Sequence, residues 1–437
     1  SILIFIFLFQ LSKAQPCKDG NEVISTPDVV FNRYTTLNQT SLAGNSSIVV
    51  GNIFDLSASA IPGGVNNPYT TGSLSPFDLL MIIKIQGASI NNTNTNLYGD
   101  ITSYNGVGQY EFAEVLSISG NTITLVSPTI NSYNVSSTER VQVIRIPRLN
   151  GLIVNSGASL TSLAWGVSGN IGGVVSVETS GNILNDGLIT VKGKGFRGGK
   201  FDLLSGSGYG ITDYINNTNF AGAEKGEGIA GFQTDYDAIG GRYCKGAPAN
   251  GGGGGNAHNA AGGGGSNAGS LIGYTGNGIP DISNPTWIPI WNLESPGFSS
   301  TTSPGGGRGG YSFGNSASIT SDAPGNPVWG GDSRRSEGGF GGRPLDNVSD
   351  TRLFFGGGGG AGDDDDFGGG EGGSGGGIIF LVSRGTISGT GQIVADGEKG
   401  GDAIPITFND APGGGGGGGS IVLLSQVSIN GISISSI

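Results

Sequence analysis

Histidine, cysteine and methionine are almost missing from this chain of 437 residues, which has one His, two Cys and one Met. A zinc site takes three or four His or Cys ligands, and the chain has only three such residues in all. A serine–histidine pair would have to use His258, which lies inside a glycine tract and is better explained as a polar loop residue. The scarcity argues against zinc and nucleophilic catalysis.

Charged residues are also scarce, and the 33 acidic residues outnumber the 21 basic ones. Only 12% of the residues are charged, and the formal net charge is -12. Nucleic acids and anionic membranes require a basic face, so neither is an expected partner. The hydrophobic share of 35% exceeds that of a disordered acidic tail, so the chain buries a core.

Long apolar runs are missing except at the start of the chain. Ile2 to Leu11 has the length of a signal-peptide core, and small residues at Ser12 and Ala14 fit a signal-peptidase site. The sequence predicts a signal peptide over residues 1–14, a mature chain starting at Gln15, and a secreted protein. No other stretch approaches the ~20 apolar residues of a membrane span.

Cys17 and Cys244 are a disulfide candidate. An oxidising compartment would allow them to pair and close a long loop, but spacing alone leaves a pair and two free thiols equally open.

Helix periodicity is absent, and short β-branched runs bounded by Gly, Asn and Pro predict an all-β protein. Residues 27–150 are predicted to form a small antiparallel β-domain. Gly120-Asn121 is expected to form the two-residue turn of a hairpin. The alternation in "VQVIRIP" places Arg140 and Arg145 towards solvent.

An internal repeat organises residues 151–437. The segment 173–193 aligns without a gap on the segment 377–397, and a looser copy starts at Gly419. Such units bury their apolar faces by stacking, which predicts a β-solenoid or a sandwich of short strands. Val175, Val177, Ile183 and Ile189 should stack on Ile379, Leu381, Ile387 and Ile393. An insertion of about 194–376 interrupts the repeat.

That insertion carries most of the 88 glycines, in tracts that alternate with aromatic residues. A linker would lack such anchors, so we expect ordered polyglycine chains packed side by side, with partly mobile loops as the alternative. In this interpretation Leu353, Phe354 and Phe355 anchor the tract at 356–360. "GKGFRGG" at 193–199 matches a dinucleotide fingerprint only by chance, because no helix or acidic partner follows.

Four consecutive aspartates, Asp363, Asp364, Asp365 and Asp366, interrupt the glycine tracts. They lack the spacing of known calcium loops. The sequence favours an exposed, solvated turn without a cofactor, and a calcium site is the alternative.

Several motifs together resemble the glycine-rich exported proteins of Bacteroidetes and myxobacteria, some of which are adhesin-like or associated with gliding motility. They are "FDLLMIIKIQGA", "GGVVSVETSGNILNDGLITVKGKGFRGG", "RLFFGGGGGAG" and "GGGIIFLVSRGTISGTGQIVADG". The resemblance spans about residues 45–425 and implies a surface location. It also implies a sorting domain of the type IX secretion system, which is not visible up to Ile437. We therefore expect either that the chain is a fragment of a longer protein or that it is exported by another route.

The sequence therefore predicts a secreted cell-surface protein of adhesion or surface assembly, not an enzyme. Its partners would be surface glycans or other surface and secretion proteins. The alternatives are a carbohydrate-active β-helix enzyme and a subunit of an extracellular filament or export complex.

Overall fold

The computed structural model describes most of the chain. The described residues are 2–5, 18–57, 72–202, 211–257, 260–278, 303–310, 337–345, 351–364, 368–403 and 410–437.

Strands dominate these ranges, as predicted. In chain order they are β1 (Ile2–Phe5), β2 (Asn21–Ile24), β3 (Val29–Val30), β4 (Arg33–Thr36), β5 (Ser47–Val49), β6 (Leu79–Gln86), β7 (Ser89–Ile90), β8 (Ile101–Ser103), β9 (Tyr110–Ser119), β10 (Thr122–Leu125), β11 (Arg140–Ile146), β12 (Arg148–Leu149), β13 (Gly151–Val154), β14 (Ser159–Thr161), β15 (Val174–Thr179), β16 (Ile183–Asn185), β17 (Leu188–Thr190), β18 (Ile378–Ser383), β19 (Ile387–Ser388), β20 (Gln392–Val394), β21 (Ser420–Ser425), β22 (Ile429–Asn430) and β23 (Ser433–Ser435). Helical turns in the described ranges are short: Ile53–Leu56, Asn219–Ala221 and Thr234–Asp237.

Three parallel sheets form a solenoid whose rungs contribute one short strand to each sheet. The sheet orders are β1-β21-β18-β15-β12, β2-β13-β16-β19-β22 and β23-β20-β17-β14-β3. Consecutive strands along the chain therefore turn from one sheet to the next, and each rung lies on the one before. The solenoid, one of the two predicted forms of the stacked repeat, is the one observed.

The repeat predicts the register of this stack correctly. Val175 lies opposite Ile379 and Val177 opposite Leu381 in the first sheet. Ile183 pairs with Ile387 and Ile189 with Ile393 in the other two. All of these side chains are buried in one interior cluster, so the sequence equivalence is a physical stack.

An antiparallel sheet is inserted into the solenoid between β3 and β12. Its strand order is β4-β11-β6-β9-β10-β5, and β9 and β10 form the predicted hairpin around Gly120-Asn121. Because β2 and β3 already form a first rung, this sheet interrupts the solenoid and does not precede it. One face packs on the outside of the first solenoid sheet, where Phe112 meets Phe380 at 5.0 Å between ring centroids.

The expected solvent-facing position of Arg145 is wrong. Both faces of β11 are covered, and Arg145 is only 2% exposed. Its guanidinium lies 3.1 Å from the Asp78 carboxylate and donates to the carbonyl oxygens of Leu56 and Gly72. Strand alternation could not reveal the loops that cover this second face.

Glycine tracts between β17 and β18, and between β20 and β21, form a bundle of extended chains. The central segment, 356–362, bonds through its backbone to six described neighbours. It donates to 370–376, 263–266 and 224–227, and accepts from 196–199, 252–255 and 413–417. Successive N–H groups point to different neighbours, and every third one returns to the same neighbour. This period of three is that of the polyproline II helix.

The bundle needs glycine because no space exists for a side chain. A Cβ atom on Gly358 would lie 1.8 Å from the Arg197 carbonyl oxygen, and one on Gly357 would lie 1.8 Å from that of Asn250. Neither glycine adopts a positive φ, so close approach and not backbone conformation selects the residue. The ordered polyglycine packing expected from the sequence is what the structure contains.

Aromatic side chains fix the bundle to the solenoid. Leu353, Phe354 and Phe355 are buried, as predicted. The Phe355 ring lies 5.5 Å from Trp165 and 5.4 Å from Phe196, measured between centroids. The central glycine segment therefore starts from a closed aromatic cluster.

Strand β1 extends the first solenoid sheet by pairing in parallel with β21, from Ile2 opposite Ile421 to Phe5 opposite Leu424. The signal peptide over residues 1–14 stays a prediction. Among the described residues, no helix is both long and apolar enough to cross a membrane.

Shortening Ile387 tests the stacked core. We expect Ile387→Ala to lower the free energy of unfolding by about 2–5 kcal/mol, because it leaves a cavity between rungs. Urea denaturation measures the change. Ile153→Ala, on the same sheet but 38% exposed, is the matched control and should cost far less. Equal losses in the two variants would contradict the buried stack.

A methyl group in the bundle tests the close packing. Gly358→Ala should destabilise the protein by about 1–3 kcal/mol or more, because the new atom overlaps a backbone carbonyl. Gly307→Ala in the same bundle meets nothing within 4 Å and should change stability little. Thermal unfolding of both variants measures the two changes in stability. An unchanged stability of Gly358→Ala would contradict the close packing.

Candidate functional site

A groove of about 1010 Å³ lies where the antiparallel sheet meets the glycine bundle. We call it the sheet–bundle groove. It is lined by Ala43, Gly87, Ala88, Ser89, Ile90, Asn105, Gly106, Gln109, Ile130, Asn131, Ser132, Asn134, Thr138, Glu139, Ala230, Asp235 and Ile239. Its size and its place between two structural units are typical of ligand sites.

The floor of the groove forms where β6 ends against the bundle. The backbone N–H groups of Gly87 and Ala88 both donate to the Ile229 carbonyl oxygen, at 3.0 and 3.1 Å. A Cβ atom on Gly87 would lie 2.7 Å from the Glu139 side chain. Glycine at this position lets Glu139 lie across the floor.

Two carboxylates line the groove, and each is held by a cation. Glu139 Oε1 accepts from Lys84 Nζ at 2.6 Å, while Lys84 itself is buried. Asp235 forms two contacts with the Arg140 guanidinium, at 2.9 and 3.0 Å, and also accepts from the Phe232 N–H. Asp235 is thus fully engaged, whereas Glu139 Oε2 bonds to none of the described residues.

Amide side chains add free hydrogen-bonding groups. The side-chain amides of Gln109 and Asn134 bond to no described residue, and both line the groove. Asn105, by contrast, is held by Gly87 and Ser89. The groove therefore presents two free amides and one free carboxylate oxygen.

Glu227 holds the wall behind the groove in place. Its buried carboxylate accepts from Gln86 Nε2 of β6 at 2.8 Å and from Trp165 Nε1 at 2.9 Å. Arg197 donates to it from Nε at 2.7 Å and from its backbone N–H at 2.9 Å. One acid therefore joins the antiparallel sheet, the solenoid and the bundle.

A second, smaller hollow of about 480 Å³ lies at a corner of the solenoid between neighbouring rungs. Its polar centre is Asp186, whose Oδ1 accepts from both the backbone and the hydroxyl of Thr390. We call it the corner hollow.

The predicted exposure of the aspartate run is wrong for Asp363 and Asp364, which are 0% and 2% exposed. The packed chains continue to the end of the tract, and backbone amides supply the donors there. Gly368 N–H donates to both Asp364 and Asp410, at 3.0 and 2.9 Å. Asp365 and Asp366 lie outside the described residues. No described group of three or more His, Cys, Asp or Glu is arranged to hold a metal ion, and calcium stays a prediction.

Cys244 carries a buried free thiol that donates to the Ala221 carbonyl oxygen at 3.5 Å, and burial raises its pKa to about 12. Cys17 and His258 lie outside the described residues, so the Cys17–Cys244 pair stays a prediction.

Beside Cys244, burial lowers the pKa of Lys225 to about 7. Lys225 Nζ donates to the carbonyl oxygens of Tyr214 and Cys244.

Comparison with known proteins finds no matching family model and no matching curated protein. The solved structures that match part of the chain include three tailspikes. The tailspike gp54 of Acinetobacter baumannii bacteriophage AP22, in complex with A. baumannii capsular saccharide, is 16% identical over 40% of this chain, with a TM-score of 0.16. The tailspike gp49 of Pseudomonas phage LKA1 is 19% identical over 38%, at 0.15. The tailspike gp61 of Pseudomonas phage phi297 is 11% identical over 40%, at 0.16.

The matches cover 30%, 28% and 32% of those three tailspike chains. At these TM-scores they establish no ligand, activity or partner for this protein. The prediction that the protein is not an enzyme is nevertheless corrected and withdrawn, because these three structures are tailspikes, one in complex with a capsular saccharide.

The buried lysine gives a pH prediction. In the unfolded chain Lys225 keeps its proton up to about pH 10.5, but in the folded protein it loses it near pH 7. The unfolded state then binds more protons, so the free energy of unfolding should rise with pH between these values.

Denaturation of the wild type and of Lys225→Met at several pH values measures this contribution. The variant should lack the Lys225 part of the rise. Cys244 interacts electrostatically with Lys225, so the comparison is made in a Cys244→Ala background, where the thiol does not titrate. Parallel pH profiles would contradict the shifted pKa.

Proposed function

We propose that this is an extracellular glycan-binding β-helix protein that takes its ligand in the sheet–bundle groove. The groove's lining of amides, hydroxyls and carboxylate is the observation that carries the proposal. Sugars offer many hydroxyl groups that both donate and accept, and such a lining can satisfy them.

The groups that contact ligand are Gln109, Asn134 and Glu139. The two amides supply both donors and acceptors, and Glu139 Oε2 supplies an acceptor. The base of the groove is fixed by the Glu139–Lys84 and Asp235–Arg140 pairs, so the Glu139 carboxylate is held in place before a ligand binds. Preorganisation of this kind reduces the cost of binding.

Binding of surface glycans would serve either adhesion or surface assembly, the roles that the sequence predicts. No described residue supports a role in gliding motility or in a filament or export complex.

A calorimetric titration of the whole protein with a panel of glycans tests the proposal. We expect the double variant Gln109→Ala/Asn134→Ala to weaken binding by about thirtyfold, since each of the two net hydrogen bonds contributes ~1 kcal/mol. Asp186→Asn in the corner hollow is the matched control and should bind as the wild type does. Failure of every glycan to bind, or equal binding by the double variant, would refute the assignment of the groove.

The same mixtures are assayed for new reducing ends. Their release by the wild type, and its loss in Glu139→Gln, would extend the proposed function from binding to hydrolysis of the glycan.

A further inference from the structure

The charges around the sheet–bundle groove balance. Among its lining residues, Glu139 and Asp235 are the ones with a formal charge. Their partners Lys84 and Arg140 lie behind them, with side chains 1% and 14% exposed. The groove therefore has no net formal charge, and its cations are screened from a ligand by the carboxylates in front of them.

The free carboxylate oxygen determines which chemical group a ligand must place beside it. Glu139 Oε2 can only accept a hydrogen bond, so it requires a ligand donor such as a hydroxyl or an acetamido N–H. A ligand carboxylate or sulfate has no proton to donate at neutral pH. Placed beside Glu139 it would repel that oxygen, and the Lys84 ammonium is already bonded on the far side.

The net charge of the whole chain also opposes the binding of acidic ligands. At a net charge of -12 the protein repels polyanions before they reach the groove. The described lining contains no Lys or Arg that could offset this effect.

From these observations, and resting on the proposed function, we infer that the groove selects uncharged glycans, rich in hydroxyl or acetamido groups, and rejects uronic-acid and sulfated polymers. Glu139 is the residue that determines this specificity, because its free oxygen accepts from the neutral sugar and opposes the acidic one.

A matched pair of ligands gives the test. The neutral oligosaccharide that binds best in the panel is compared with the same oligosaccharide after oxidation of its primary hydroxyls to carboxylates. We expect the oxidised form to bind the wild type at least tenfold more weakly at low salt. Added salt should narrow the difference, because it screens the repulsion.

Two variants assign the selectivity to the groove. Glu139→Gln raises the groove charge by one and should remove most of the discrimination between the two ligands. Thr138→Lys raises the groove charge by the same amount and should also reduce the discrimination. Thr138 is an exposed lining residue, so this variant serves as the test if Glu139→Gln fails to fold. Asp186→Asn in the corner hollow changes the net charge of the protein by the same amount and should leave the discrimination almost unchanged.

The inference is overturned where the wild type binds the oxidised ligand as tightly as its neutral parent at low salt. It is overturned equally where Asp186→Asn removes the discrimination as completely as Glu139→Gln, since net charge and not the groove would then be responsible. Either result leaves glycan binding itself intact. Absence of binding to any glycan is instead the failure of the proposed function.

Discussion

The whole architecture depends on backbone carbonyl groups occupying the space where side chains would otherwise be. Around residues 356–362, six chains approach closely enough for a neighbour's oxygen to lie about where a Cβ would stand. Glycine loses much conformational entropy when it is ordered. The compensation is that almost every amide of this buried segment finds a partner, since an unpaired buried amide would be costly. The bundle thus has a core made of main chain instead of apolar side chains.

The other parts of the molecule are arranged around that bundle. Its aromatic base, Phe355 against Trp165 and Phe196, joins it to the solenoid. Glu227 extends the connection to the antiparallel sheet through Gln86, so a single buried carboxylate touches all three units. Removing one partner of such a network leaves a buried charge uncompensated, which is why networks of this kind hold a fixed geometry. The sheet–bundle groove is the solvent-filled margin of the same junction.

Local patterns in the sequence predicted the parts of the fold that depend on local chemistry. The ungapped repeat placed Ile183 on Ile387, and the aromatic residues that flank the glycine tracts indicated order. Patterns could not show that β2 and β3 start the solenoid, because two- to four-residue strands carry too little periodicity. They also missed the burial of Arg145 and Asp363, which depends on chains distant in sequence. The groove was out of reach for the same reason, since Gln109, Glu139 and Asp235 come from separate segments and share no motif.

The connectivity of the central glycine segment bears on how the chain can fold. Its six partners start at residue 196 and end at residue 417, so the bundle cannot close until this whole range is available. Contacts this distant in sequence carry a large loop-closure cost and slow folding. The solenoid rungs that flank the bundle face the same delay, because β15 pairs with β18, and β17 with β20, only after the intervening tracts have been accommodated. A chain with this connectivity stays open until the tract at 413–417 is in place, so it folds as one unit and not domain by domain.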